Sequence, residues 1–234
     1  MSPPSPHHRT GLLVAVAAYV IWGFLPLFFR VLHHVPAVEL VGWRVVFTLP
    51  LCLAIVAARG QAADVRAALA DRAVLLRLCA SALLIGANWL LYVIAINSGH
   101  VLAASLGYYI NPLLNVLLGT ILLGERLTRT QWTAVAIAGL GIALLLAGAI
   151  EMLGIALALA VSFGFYGFVR KLTPVGSVPG LTIETSVLYL PAIAVVAWQA
   201  HTPAGSSLGQ DAGTTIGLAA SGVVTAVPLL LFAM

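Results

Sequence analysis

The chain alternates long apolar stretches with short polar breaks. The stretches fall at residues 11–29, 38–58, 74–96, 101–123, 132–150, 152–169, 181–199 and 214–233. A helix crosses the hydrocarbon in about 20 residues, so each is long enough or nearly so. A membrane strand would instead alternate apolar and polar residues over about 10 positions, and no stretch does. The pattern therefore predicts an all-α membrane protein with eight transmembrane helices. Most breaks are short, which makes consecutive helices antiparallel neighbours. Two are longer. Residues 59–73 are rich in Ala, Arg and Asp, and Val65 and Leu69, four apart, predict a short helix lying on the interface. Residues 200–213 are Gly/Ser-rich and almost uncharged. Residues 1–10, with three prolines, read as a disordered tail.

Composition agrees with lipid as the solvent. Apolar residues are 62% of the chain and charged residues 8%. Soluble domains carry roughly 45–50% and about 25%. The net charge of +4 raises the question of nucleic acid, but the placement of the charges answers it. With the N-terminus inside, Arg9, Arg59, Arg66, Arg72, Arg77, Arg126, Arg129, Arg170 and Lys171 are cytoplasmic, Arg30 alone is outside, and Arg44 lies within a span. Basic residues gather on cytoplasmic loops, so the N-terminus is expected inside and no nucleic-acid partner is implied. Cys52 and Cys79 sit in or near apolar spans and read as small buried hydrophobes. The first span runs into Arg30 without a small-residue cleavage site, so it reads as a retained helix.

A weak internal repeat organises the chain. Gly23 and Gly164, Arg30 and Lys171, and Pro50 and Pro191 all differ by 141 positions. Five spans, an odd number, separate the two copies, so the second would insert upside down relative to the first. Inverted repeats of this kind build many secondary transporters, with the binding site near mid-membrane at the repeat interface. The first copy, 11–150, holds five spans. The second, 151–234, holds three and so is expected to be incomplete by two helices.

Polar residues inside the spans are the functional candidates. Arg44 lies about two helical turns below the outer end of its span, where an unpaired arginine costs at least ~2.5 kcal/mol. Glu39, five residues earlier, is poorly placed to pair with it, and snorkelling to the outer headgroups is the plainer alternative. Glu184 is the other intramembrane charge. The most polar span contains Ser105-Leu-Gly-Tyr-Tyr-Ile-Asn-Pro-Leu-Leu-Asn115. Pro112 should bend it and free the carbonyl of Tyr108, while Tyr108, Asn111 and Asn115 share a face. That face suits a water-lined cavity or, alternatively, hydrogen-bonded helix packing. Asn88 and Tyr92 could line the same cavity, with Trp22, Tyr19 and Trp43 as aromatic walls. Thr128-Arg-Thr-Gln131 reads as a capping box. Glu125 reads as structural, capping or pairing with Arg126 or Arg129. Zincin, nucleophile-elbow and phosphate-loop motifs do not occur, and His33, His34 and His100 have no metal-ligand spacing, so no catalytic residue, metal or cofactor is assigned.

These residues resemble a known family. Ala18-Tyr-Val-Ile-Trp-Gly-Phe-Leu-Pro-Leu-Phe-Phe-Arg30, Asn88-Trp-Leu-Leu-Tyr-Val-Ile-Ala-Ile-Asn-Ser-Gly-His-Val101 and Ser105-Leu-Gly-Tyr-Tyr-Ile-Asn-Pro-Leu-Leu-Asn-Val-Leu-Leu-Gly119 are similar to the RarD branch of the EamA family, in the drug/metabolite transporter superfamily. Gly124-Glu-Arg-Leu127, Gln131-Trp132 and Arg170-Lys-Leu172 add to the resemblance. It implies a ten-helix, 5+5 inverted-repeat architecture, of which this chain would hold eight helices. It also implies an inner-membrane location and gradient-driven transport of small organic metabolites or drugs by alternating access. The substrate pathway is expected among Trp22, Arg44, Asn88, Tyr92, Tyr108, Asn111, Asn115 and Glu184, with Glu184 able to carry a coupling proton. The alternative is a non-transporting membrane scaffold or an inactive truncated fragment.

Overall fold

The computed structural model describes residues 6–147 and 150–232, with side chains described at residues 16, 17, 20–145 and 151–230. Residues 1–5 of the expected tail, and the side chain of Tyr19, lie outside that set. The described residues are helical, with no strand among them. The elements are α1 (Pro6–Val31), α2 (Ala37–Ala58), α3 (Ala62–Ala70), α4 (Arg72–Asn97), α5 (Val101–Leu122), α6 (Arg129–Ala147), α7 (Leu153–Lys171), α8 (Ser177–Ala200) and α9 (Ala212–Phe232), with a 3-10 turn at Ile150–Met152 before α7. α1 already includes residues 6–10, half of the segment that read as a tail. Pro6 suits that position, because a first-turn proline has no N–H to leave unsatisfied.

Among the described residues, six helices are long and apolar enough to cross a membrane: α2, α4, α5, α7, α8 and α9. Two further apolar stretches, Val20–Val31 in α1 and Arg129–Leu145 in α6, are shorter among the described residues. Large apolar side chains such as Leu190 (76% exposed) and Leu144 face outward. Helices satisfy all their backbone groups internally, so a surface of this kind is stable in lipid and unstable in water.

The chain divides into two compact units that do not follow its sequence halves. One unit joins residues up to Cys79 to residues from Pro174 onward; the other is Ala80–Thr173. In the first unit α2 is central and packs against α8 and α9, with α1 on α9 and α3 on α8. Cys52 and Val56 meet Val178, Leu181, Ala226 and Leu230 in its core, and Val74 and Leu78 of α4 pack with Ile183 of α8. The α2–α9 approach depends on Gly222, where a Cβ would stand 2.7 Å from the Phe47 backbone carbon. In the second unit α5 packs against α7 and α6. Gly107 permits it, since a Cβ there would stand 2.9 Å from Leu159 Cβ and 3.0 Å from the Ala156 carbonyl oxygen. Small residues at helix contacts are the usual way for membrane helices to gain van der Waals packing.

The expected capping box opens α6. Thr128 N–H donates to Gln131 Oε1 at 2.8 Å, and Gln131 N–H donates back to Thr128 Oγ1 at 3.3 Å. Glu125 pairs with neither Arg126 nor Arg129. Its Oε1 lies 2.5 Å from Lys171 Nζ, at the end of α7, and its carboxyl occupies the space left by Gly119.

Candidate functional site

The eight candidate residues fall in both units. Trp22, Arg44 and Glu184 belong to the first, and Asn88, Tyr92, Tyr108, Asn111 and Asn115 to the second.

Arg44 does not snorkel. It is 4% exposed, its Nε donates to Thr225 Oγ1 on α9, and its guanidinium carbon sits 5.3 Å from the Phe29 ring centroid of α1. The Thr225 hydroxyl donates in turn to the Ser221 carbonyl at 2.6 Å. One turn along α2, Thr48 donates to the Arg44 carbonyl at 2.6 Å. The arginine thus links three helices through one hydrogen-bonded run and one cation–π contact, each stronger for being out of water.

Glu39, set aside in the sequence, is fully buried in the same unit. It accepts hydrogen bonds from Ser206 Oγ at 2.9 Å, Ser207 N–H at 2.7 Å, Ser207 Oγ at 2.8 Å and Trp43 Nε1 at 3.2 Å. Four donors to two oxygens explain why it does not need Arg44. They also fasten the Ser-containing loop between α8 and α9 to the first turn of α2. Two adjacent serines in a Gly-rich loop and a carboxylate at a helix N-terminus were the available signals, but nothing local joined them. Glu184 is 1% exposed in α8, near Thr182, Thr185 and Cys52. Trp22 is half-buried in α1.

The second unit brings its candidates together. The α4–α5 connection is three residues long. The Tyr92 ring of α4 meets the Tyr108 ring of α5 edge-on, with centroids 5.6 Å apart. Tyr108 meets Phe163 of α7 at 6.0 Å, and Phe163 meets Tyr166 at 5.8 Å. Aromatic rings prefer these edge-on and tilted arrangements because of their quadrupoles. Phe163 and Tyr166 were not among the site candidates.

Beside this aromatic run stand two buried amides. Asn88, one turn from Tyr92, donates from Nδ2 to the Leu159 carbonyl at 3.1 Å and to Ser162 Oγ at 3.0 Å. The carbonyl can only accept, which fixes the nitrogen toward α7 and the oxygen away from it. That oxygen, Asn88 Oδ1, is buried with no hydrogen-bond partner, and so is Asn111 Oδ1 of α5. A buried acceptor without a donor forfeits about 1–3 kcal/mol. Asn115 is exposed where Asn111 is buried. Four residues advance a helix about 40° beyond one full turn, and Asn115 still reaches α7: a Cβ at Gly167 would stand 3.9 Å from its Oδ1. Pro112, itself exposed, is accommodated within a continuous α5 and has no N–H to donate along the helix. Among the described residues no group of three or more His, Cys, Asp or Glu is arranged to hold a metal ion.

Residues 9–147 match the EamA-like transporter family. The chain is 43% identical over 225 residues to Protein RarD of Salmonella typhi, covering 96% of this chain and 76% of that protein. It is 42% identical over 227 residues to Protein RarD of Escherichia coli, with the same coverage of each. An uncharacterized transporter of Vibrio cholerae serotype O1 is 42% identical over 235 residues, covering 99% and 77%. No solved structure matches. With its apolar helices and these relatives, the chain is a multi-pass membrane transporter that belongs to the EamA-like transporter family, within its RarD branch.

Proposed function

We propose that this protein is a gradient-driven secondary transporter of small organic metabolites or drugs, working by alternating access. The observation that carries the reading is the pair of buried, donorless amide oxygens, Asn88 Oδ1 and Asn111 Oδ1, beside the Tyr92–Tyr108–Phe163–Tyr166 run. Acceptors held out of water beside aromatic faces suit a solute that brings its own N–H or O–H donors and an apolar body. Direct solute contact is assigned to Asn88, Tyr92, Tyr108 and Asn111. Arg44 and Trp22 brace the first unit, Asn115 lies at the exposed edge of α5, and Glu184 takes and releases a coupling proton.

The eight-span count and the inverted repeat belong to the same proposal. Exchanging the copies turns α1 into α7, α2 into α8 and α4 into α9. Side chains of α4 and α8, the pair that the exchange relates to α9 and α2, do meet: Val74 and Leu78 pack with Ile183. Between α4 and α7, the pair it relates to α9 and α1, Asn88 bonds to Ser162. Nine basic residues against one support a cytoplasmic N-terminus in the inner membrane.

Reconstitution tests the proposal. Proteoliposomes under an imposed pH gradient are given a panel of labelled amino acids and amphiphilic drugs. Saturable uptake of at least one solute, collapsing when an ionophore dissipates the gradient, is expected. Uptake that is never saturable for any solute would leave a scaffold as the better reading. Saturable uptake indifferent to the ionophore would remove the proton from Glu184.

A further inference from the structure

We propose that the connection from α2 to α4 is a binding surface for anionic phospholipid headgroups, with α3 lying in the plane of the membrane. α3 has nine residues, ~13 Å of helix, less than half the hydrocarbon thickness. It joins two helices that are each long and apolar enough to cross, so it sits at the membrane surface. One side of it is seated on protein: Ala68 is buried and Val65 half-buried against the Ile183 cluster. The sequence pattern paired Val65 with Leu69 on one lipid-facing stripe, but the structure separates them. Leu69 is 48% exposed and stands three residues from exposed Arg66, which puts an apolar anchor and a guanidinium on neighbouring positions.

The charges favour phosphate. Segment 59–77 carries four arginines and two aspartates, a net +2. Arg59 closes α2 and Arg72 opens α4, both exposed, so they flank Arg66 along the surface. One of the two aspartates is already engaged: Asp71 Oδ1 accepts the N–H groups of Ala73 at 2.8 Å and Val74 at 3.2 Å, capping α4. Guanidinium groups bind phosphate oxygens with charge-assisted, often paired hydrogen bonds, and basic clusters beside membrane spans attract anionic lipid. Lipid is preferred to an acidic protein because exposed leucines stand among the arginines: Leu69, and Leu76 in the first turns of α4. A phospholipid supplies both acyl chain and phosphate at that depth.

The test uses the full chain, purified in detergent and titrated with phosphatidylglycerol or phosphatidylcholine of identical acyl chains, read by native mass spectrometry and by melting temperature. Phosphatidylglycerol is expected to bind preferentially, and Arg59→Gln/Arg66→Gln/Arg72→Gln to weaken it at least ~10-fold. Arg126→Gln/Arg129→Gln, elsewhere in the chain, should leave it unchanged. Leu69→Ser, a milder variant, should weaken it about 3-fold and serves if the triple variant does not fold. Equal binding of the two lipids overturns the proposal, as does an equal loss in the control variant. Full competition by millimolar inorganic phosphate also overturns it, since the surface would then be a free-anion site.

Discussion

The charges buried in the first unit and the two amides buried in the second hold their polar atoms in opposite ways. In the first, Glu39 is buried among four donors, and Arg44 bonds to Thr225 and lies over Phe29. In the second, Asn88 and Asn111 each keep a buried oxygen that no protein group satisfies. Charge alone would rank these residues the other way, because an intramembrane arginine or glutamate is costlier than an amide. Yet the costliest groups are the ones the fold has compensated. A charge bonded inside the protein, as Glu39 and Arg44 are, fastens helices and loops to one another. A neutral acceptor left open carries a modest penalty that a solute can relieve. On the proposed reading, incomplete satisfaction rather than charge marks the substrate contact.

The largest effect should come from breaking the satisfied side. Glu39→Ala leaves the Ser206 and Ser207 donors and the Trp43 indole N–H facing a hole. With each orphaned donor worth about 1–3 kcal/mol and some rescued by water, a loss of about 3 kcal/mol in stability is expected. It is read as a lowered melting temperature in detergent, with flux per folded molecule retained. Arg44→Ala should behave alike through its loss of Thr225 and Phe29. A variant with normal melting but no flux would move Arg44 or Glu39 into the pathway. Gly222→Ala comes next: a methyl 2.7 Å from the Phe47 backbone must push α9 off α2, at about 2 kcal/mol. If it melts like the wild type, α2 and α9 are not held as closely as described.

The open side should respond in the opposite sense. Asn111→Leu removes a buried oxygen that has no partner, so the melting temperature should stay or rise, while saturable flux falls at least ~10-fold. Asn88→Leu should lower flux similarly and cost some stability, because its Nδ2 does bond to Leu159 and Ser162. Parallel losses of stability and flux in Asn111→Leu would make that amide ordinary helix packing and dissolve the contrast between the units.

Much of this was legible in the chain. Hydropathy located the helices, because lipid demands both apolar surface and internal backbone bonding. The Asn88–Tyr92 and Tyr108–Asn111 blocks were legible because polar residues are so rare in the spans. Thr128 and Gln131 were legible because a capping box is local. What escaped was set by distant partners. Glu39 is satisfied by serines 167 and 168 positions away. Glu125 finds Lys171 rather than either adjacent arginine. The facing of Val65 against Leu69 depends on which neighbouring helix covers the stripe, and helical spacing by itself cannot supply that.

The smallest effect tests whether satisfying a carboxylate matters in the same way outside the membrane. Asp211 stands just before α9, fully exposed, and accepts the Thr214 N–H at 2.8 Å. The Thr214 hydroxyl, and then that N–H, hold its carboxyl below the ordinary value of 3.8. A folded value below the unfolded one means stability that is present above about pH 4 and lost as pH falls through the folded value. Asp211→Asn should therefore melt nearly like the wild type at pH 7, since asparagine also caps helices. Between pH 4 and 3 the wild type should lose stability that the variant does not. The difference should be small, because water competes for every bond Asp211 makes. If instead Asp211→Asn lowers the melting temperature at pH 7 as much as Glu39→Ala does, burial is not what separates a fastening carboxylate from a surface cap.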